Sequence, residues 1–595
     1  MIKEQIIDLI KKALGEMGVA EKNIPAFVLE HPDEMSHGDY ATNVALLLAK
    51  LLKKNPLAVA KEIIEKINQN LPEEVKKVEV AGPGFINFYL SDKYFVNEVG
   101  EILNHGENYG LVKKNFFQNL FSKRVIIEHT DPNPFKEFHI GHLMSNSIGE
   151  SISRITEALG SKVIPVSYGG DVGLHVAKAI WGYRLLEKYL GEKKERVIIY
   201  DQEKDILSHK NETAFWGMAY ALGSSEYDSN ETHKVEIDEL NKEIFFSVKP
   251  ETKKLYDQGR KISIDKFQEI FKRLGTHFKY NFWESEVIKD ALKAVEEGLA
   301  KNILEKSEGA VIFKGENYGL HTRVFVNSKG VPTYEAKELG LGVKKIEKYK
   351  FNSSVIITGN EQNDYFKVLL KVMELLRPEV KDKTTHIGHG MLRFASGKMS
   401  SRKGNVITVI ALLDQVKEVI IEKMKEREML DVEKDAVAEI VSIGAIKYSI
   451  LKQAAGSDII FDFDKSLSFE GDSGPYLQYA CVRAQSILEK AKKEGIKAEV
   501  SAEVVSMKYG VSSELSKLLI RFPEVVERAG REYAPHYLAT YLTGLASAFS
   551  TFYAEQTVVD KNDVESPAKV ALVQAFSVVM KNGLNLLGIK VPEKM

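Results

Sequence analysis

From Arg124 onward the chain alternates short β-branched runs with helical stretches. RVIIEHT (Arg124 to Thr130) leads into a helix from His142, KVIPVSYGG (Lys162 to Gly170) follows, and RVFV (Arg323 to Val326) and SSVIITG (Ser353 to Gly359) come later. Few architectures accommodate such a pattern, because parallel strands need long crossover connections and helices supply them most readily. The alternation predicts an α/β fold with a doubly wound parallel sheet. Residues 1–115 predict a small α+β unit. It is helical to about Asn68 and strand-like in VEVAGPGFINFYL (Val78 to Leu90), and the polar stretch Gly106 to Lys114 serves as its linker. Residues 116–408 then hold the sheet, interrupted at about 186–282 by a charged, strand-poor insertion, and residues 409–595 are all-α. No internal repeat is present, which excludes solenoids.

The strand RVIIEHT runs into the proline-containing loop DPNPFKEFHIGH (Asp131 to His142), which opens a helix near Gly141. Strand, loop and helix N-terminus in that order make a phosphate site, where backbone N–H groups and the helix dipole meet an anion. His139 and His142 are three residues apart, on one face of a turn, so both imidazoles can donate to one phosphoryl group. Gly141 leaves room for a flat base against the backbone. Far downstream, FASGKMSSRKGNV (Phe394 to Val406) is a Gly- and Ser-rich loop carrying Lys398, Arg402 and Lys403, suited to closing over the β- and γ-phosphates of ATP.

Together these segments resemble the HIGH and KMSKS motifs of the class I aminoacyl-tRNA synthetases, the first letter for letter. The resemblance extends to the arginyl-tRNA synthetase family. GDYATNVALLLAK and AGPGFINFYL are similar to its N-terminal domain. IEHTDPNPFKEFHIGHL, PTYEAKELGLG, TGNEQNDYFKV and HIGHGMLRFASGKMSSRKG resemble its catalytic core. GAIKYSIL, FDFDKSLSFEGDSGPYLQYACVRAQSIL and LNLLGIKVPEKM are similar to its helical anticodon-binding domain.

The resemblance implies a Rossmann-like catalytic domain that binds ATP, with Mg²⁺ carried by the nucleotide and no dedicated metal site, and that takes arginine and tRNA(Arg) as substrates. It also implies that activation of arginine requires bound tRNA, and that the enzyme is a monomer. For ATP it points to His139, Gly141, His142, Met391, Lys398, Met399 and Ser400. For arginine it points to Glu128, Asn133, Tyr334, Glu338 and Gln362, undivided among guanidinium, amino and carboxylate groups. For tRNA it points to Tyr476, Gln478, Tyr479 and Arg483, beside Phe461. Two positions depart from the family pattern. Glu338 stands where Asp is usual, and Ser401 replaces the second lysine of KMSKS, a cation that Lys136, three residues before His139, is placed to supply. Catalysis then rests on Lys136, His139, His142 and Lys398, which stabilise in-line transfer at the α-phosphorus.

Composition bounds this reading without suggesting it. With 44% hydrophobic and 28% charged residues the chain has the balance of a soluble globular protein, and its net charge of −2 gives no electrostatic sign of RNA. No apolar run approaches the roughly 20 residues of a membrane span, and the N-terminal segment lacks the unbroken apolar core of a signal peptide. The single Cys481 excludes an internal disulfide and a cysteine-based zinc cluster, which fits the cytoplasm. It also weighs against cysteinyl and methionyl enzymes, whose families commonly bind zinc. A nucleotidylyltransferase with an HxGH motif would leave the helical C-terminus unexplained, and a non-catalytic tRNA-binding relative would not need the intact HIGH.

Overall fold

The computed structural model describes residues 2–112, 122–192, 212–246, 248–395, 408–500 and 514–595. Two compact units emerge, and neither follows chain order. One joins Met1–Gly110 to Tyr479–Val525 and Tyr541–Gly583, and the other joins Leu111–Gln478 to Val526–Thr540 and Leu584–Met595.

In the first unit four antiparallel strands lie in the order Leu29–Glu30, Tyr40–Thr42, Phe85–Leu90, Val75–Ala81. Helices Ile2–Glu16, Val44–Leu52 and Pro56–Asn68 bury Ile6, Ile10, Val59 and Ile63 beside them. The Gly-Pro-Gly break turns the hairpin. Gly84 sits at φ 132°, and a Cβ there would meet Pro56 at 2.9 Å, so only glycine fits. The stretch read as a linker is instead pinned: Tyr109 is buried and stacked on Phe522, and the Asn582 amide donates to the carbonyls of Gly106 and Tyr109 at 3.1 Å. Lys3 pairs with Glu524 at 2.8 Å and Lys517 with Asp39 at 3.1 Å. Such pairs, hundreds of residues apart, leave no local pattern in a sequence.

The second unit is organised by five parallel strands. In chain order these are β1 (Arg124–Glu128), α1 (Ile140–Ala158), β2 (Lys162–Gly169), β3 (Tyr280–Trp283), α2 (Glu284–Ala300), α3 (Tyr334–Tyr349), β4 (Ser353–Gly359), α4 (Asn363–Leu376) and β5 (Thr384–His389). The strands stand in the order β5-β4-β1-β2-β3, all pairings parallel, which is the doubly wound fold expected. Ile126, Ile164, Val166, Tyr168 and Phe282 face Val287 of α2 and Leu341 of α3.

The strand inventory differs from expectation at three strands. RVFV lies outside this sheet, closing a small antiparallel one with Glu305–Ser307 and Ala310–Phe313. Its first hairpin turns at Glu308 (φ 47°) and Gly309 (φ 80°), the paired left-handed residues that match strand twist. TTHIGH, a second HIGH, forms β5, and YNFW forms β3 at the end of what was read as insertion. The described residues of the insertion are otherwise mainly helical, with Glu212–Ser229, Glu231–Phe246 and Pro250–Leu274. After Thr408 the described residues are helical except Ile459–Phe461, which pairs with Leu392–Phe394.

The end of the chain is held by side chains from distant helices. Ser151 donates to Leu586 O at 3.0 Å, and Arg154 donates to the Asn585 carbonyl at 3.1 Å and its side-chain oxygen at 2.8 Å. Lys447, 1% exposed, donates to Leu274 O at 2.6 Å and Gly588 O at 2.9 Å. Burial lowers its pKa to about 8. Replacing Lys447 by Met strands two carbonyls and should destabilise this unit by about 2 to 4 kcal/mol, read as a fall in the urea midpoint. Ser151→Ala should cost about 1 kcal/mol.

Candidate active site

β1 and β4 are neighbours, and the chain leaves their carboxyl ends in opposite directions, toward α1 and toward α4. This is the topological switch point, where open α/β sheets bind ligands. Thr130, Asp131 and Phe135 in the β1–α1 loop have φ of 81°, 45° and 68°, left-handed values that non-glycine residues adopt only when their surroundings impose them. Here they do. Thr130 N donates to Ser145 Oγ at 2.9 Å and Phe135 N to Ser263 Oγ at 3.0 Å. Asp131 accepts from Tyr168 N, and Asn133 from Gly170 N, each at 2.7 Å.

The loop delivers the HIGH motif as a helix cap. His139 is the N-cap of α1, and its Nδ1 accepts from Gly141 N at 3.1 Å; His142 Nδ1 accepts from His139 N, also at 3.1 Å. The rings stack at 3.8 Å. A ring nitrogen that accepts carries no proton, so in each neutral imidazole the proton sits on Nε2, free to be donated. Burial, reinforced by Lys136, lowers the proton affinity of His139; burial, His139 and Lys136 lower that of His142 further. The motif is thus a pair of neutral, preorganised donors at a helix N-terminus.

Lys136 is half-buried, lining a cavity of about 230 Å³ with Phe138, Trp216, Phe267 and Thr408, its ammonium 5.3 Å from the Tyr220 ring. Met391, 50% exposed, follows β5. Lys398, Met399, Ser400 and Ser401 lie outside the described residues. The chain re-enters at Thr408, which forms a bridge with His139, while Val409 N donates to Phe138 O at 3.0 Å.

On the other face of the sheet, α3 carries Tyr334 at its exposed first turn and Glu338 one turn on. Glu128, at the end of β1, is buried and paired with buried Lys345 at 2.5 Å, so its charge is already matched. Burial, followed by the charge of Glu128, pushes Glu338 up to about 8 and raises Asp131 well above the usual carboxylate range. Glu284, at the start of α2, pairs with Lys337 at 2.6 Å, both buried. Gly170 packs against Asn133 and Glu284, where a Cβ would meet them at 2.7 and 3.3 Å. Gln362 is exposed just before α4. Glu284 and Lys337 had no motif to announce them. The signal available was position, since Glu284 begins the helix that follows β3.

Of the residues expected to meet tRNA, Gln478 is corrected. It is fully buried, and its amide donates to Lys590 O at 2.7 Å and Ile440 O at 3.3 Å, holding the chain end. Phe461 is likewise core. Tyr479 and Arg483 are half-buried one turn apart, Arg483 donating to the Tyr479 hydroxyl at 3.0 Å. Tyr476 is half-buried in the first turn of the same helix.

A doubly wound sheet with a histidine-capped helix at its switch point, and a cationic segment whose far end returns to that cap, defines a class I aminoacyl-tRNA synthetase. Comparison with known proteins narrows the class. The model of the class I (R) tRNA synthetase catalytic domain matches residues 99–463, that of the arginyl-tRNA synthetase N-terminal domain residues 4–90, and that of the DALR anticodon-binding domain residues 477–595. An arginine–tRNA ligase of Thermococcus sibiricus is 31% identical, the match covering 100% of this chain and 99% of that one. One of Fusobacterium nucleatum is 32% identical, covering 99% of each. The arginyl-tRNA synthetase of Thermus thermophilus shares the fold, with a TM-score of 0.79 at 24% identity over the whole of both chains. The chain belongs to the arginyl-tRNA synthetase family.

Two buried histidines support the site's frame. His175 donates from Nε2 to Gly170 O at 2.8 Å, and His129 lies behind Thr130; burial holds both near pKa 3. In the unfolded chain they titrate near 6.5. The unfolded state therefore binds more protons between about pH 6.5 and 3, and stability falls as pH drops through that window, by about 1.4 kcal/mol per pH unit for each histidine. In urea titrations at stepped pH, His175→Gln should flatten this acid slope by one histidine's share.

Proposed function

We infer that this protein is an arginine–tRNA ligase. It activates L-arginine with ATP, giving arginyl-adenylate and pyrophosphate, and passes the arginyl group to the 3′-terminal adenosine of tRNA(Arg). The observation that carries the reading is the conjunction at one sheet edge of an imidazole pair prepared to donate to phosphate and a pocket with carboxyls left in excess of cations.

The arginine carboxylate attacks the α-phosphorus in line. The Nε2–H groups of His139 and His142 donate to the phosphoryl oxygens as charge builds there, and need no reorganisation because the helix cap already fixes them. Lys136 contributes the cation that Ser401 lacks, and Lys398 joins from the second motif. Mg²⁺ arriving with the nucleotide neutralises charge on the phosphates. No group of three or more His, Cys, Asp or Glu among the described residues converges on a dedicated metal site. Asn133, Tyr334, Glu338 and Gln362 bind arginine, with Glu128 behind them neutralised by Lys345.

Residues 1–115 contact tRNA, 116–408 catalyse, and 409–595 take the anticodon arm, where Tyr476, Tyr479 and Arg483 offer rings and a guanidinium to unstacked bases. The enzyme acts in the cytoplasm, as a monomer, and activation requires bound tRNA. No described helix is long and apolar enough to cross a membrane.

The test of the activity is ATP–pyrophosphate exchange with each amino acid, with and without tRNA. Arginine-selective, tRNA-dependent exchange supports the reading, and selectivity for another amino acid overturns it. Lys136→Ala should lower turnover by about 100-fold with the arginine KM little changed; near-normal arginylation would remove Lys136 from the mechanism. Arginine binding should also release protons. Glu338, held near 8 by burial and Glu128, must ionise to pair with a guanidinium, so calorimetry near pH 7 in buffers of different ionisation enthalpy should show up to about one proton released. Glu338→Gln should abolish most of that release.

A further inference from the structure

Tyr168 is the penultimate residue of β2, its ring packed among Phe282, Val287 of α2 and Leu341 of α3. The residue is 8% exposed, and its backbone N–H is taken by Asp131. Its hydroxyl, buried, has no hydrogen-bond partner among the described residues. The groups around that hydroxyl are the carboxyls of Glu284 and Glu338, with Tyr365 and Glu128 beyond them, and with burial they raise its proton affinity well above the ordinary value. It is therefore a neutral hydroxyl in a nest of acids. A buried polar group left unbonded costs free energy, and a core position against Phe282 and Leu341 would be filled as well by phenylalanine. What the surroundings lack is a donor with several N–H groups, and a guanidinium presents five in a plane.

We propose that the Tyr168 hydroxyl is a specificity-determining contact for the substrate side chain, accepting one guanidinium N–H while Glu338 accepts others. The proposal rests on arginine being the amino acid activated. It adds to the family's arginine set a residue from β2, so that the guanidinium is held from β2 as well as from α3. Geometry favours the guanidinium over the α-amino group, because the ring lies on the α2–α3 face of the sheet while the phosphate-binding histidines cap the helix packed on β1, β2 and β4. The reacting end of arginine must reach the latter.

The experiment compares wild type and Tyr168→Phe by equilibrium titration with arginine and with agmatine, which has the guanidinium but no carboxylate, and by exchange kinetics for ATP. Loss of one hydrogen bond to a charged group should weaken arginine and agmatine by the same factor, on the order of tenfold or more, leaving the ATP KM unchanged. The melting temperature should hold or rise, because an unbonded hydroxyl leaves the empty core. Unchanged arginine affinity overturns the proposal, and so does weakened arginine with unchanged agmatine, which would place the hydroxyl at the carboxylate end. A fall in melting temperature with both ligands unaffected would make Tyr168 structural. If wild type fails to activate arginine, the functional reading fails instead, which the same exchange assay shows separately.

Discussion

The exposed N–H groups at the first turn of α1 are the constraint around which the site is arranged. Every helix begins with donors that lack intrahelical partners, and Ser, Thr, Asn or Asp usually satisfies them. Here the ring nitrogens of His139 and His142 do so. Capping the helix and aiming two N–H donors thereby become one requirement. The Nδ1 acceptor role fixes which nitrogen carries the proton, burial keeps the rings neutral, and stacking fixes their planes. A serine cap would stabilise the helix equally and offer nothing to a phosphate. The loop before it is correspondingly strained, with Thr130, Asp131 and Phe135 left-handed and each tied to β2, α1 or the insertion helix Pro250–Leu274.

Across the sheet the controlling quantity is charge. Glu128, Asp131, Glu284 and Glu338 stand against Lys337 and Lys345, and the two lysines are each committed to one glutamate. Burial, followed by the charge of Glu128, raises the proton affinity of the two that remain, Glu338 to about 8 and Asp131 well above the usual carboxylate range. Glu338, one methylene longer than the Asp usual there, owes its raised proton affinity first to burial and then to Glu128.

Much of this was legible in the sequence, and the reasons differ by element. β1, β2 and β4 are β-branched and buried, so period and composition exposed them. β3 and β5 are not: YNFW is aromatic and four residues long, and TTHIGH repeats the letters of the motif in a strand, where a separation of three puts His386 and His389 on opposite faces instead of one helical face. RVFV looked like a sheet strand and belongs to a hairpin, because nothing within four residues tells a parallel from an antiparallel partner. The histidines and Glu338 were found because a motif or a family pattern carried them. Glu284, Lys337 and Tyr168 were missed because their roles arise from convergence of β2, α2 and α3. Gln478 was misread for the opposite reason: an amide beside tyrosines suggests RNA, but its partners are carbonyls at Ile440 and Lys590, the latter more than a hundred residues away.

The two halves of the site share a thermodynamic character. A strained loop, an unbonded Tyr168 hydroxyl and buried carboxyls in excess of their cations are each locally unfavourable. The buried scaffold beneath offsets them: Lys447, Ser151 and Arg154 lock the chain end to α1, and Ser145 joins α1 to β4 through Ile357 O at 2.8 Å. Rigidity below permits imbalance above. Relief confined to substrate binding would lower KM alone. Donors fixed in advance by a helix cap, as in the His139–His142 pair, act most strongly on a group that gains negative charge beside them, which is how a site of this kind would favour a transition state over a bound substrate.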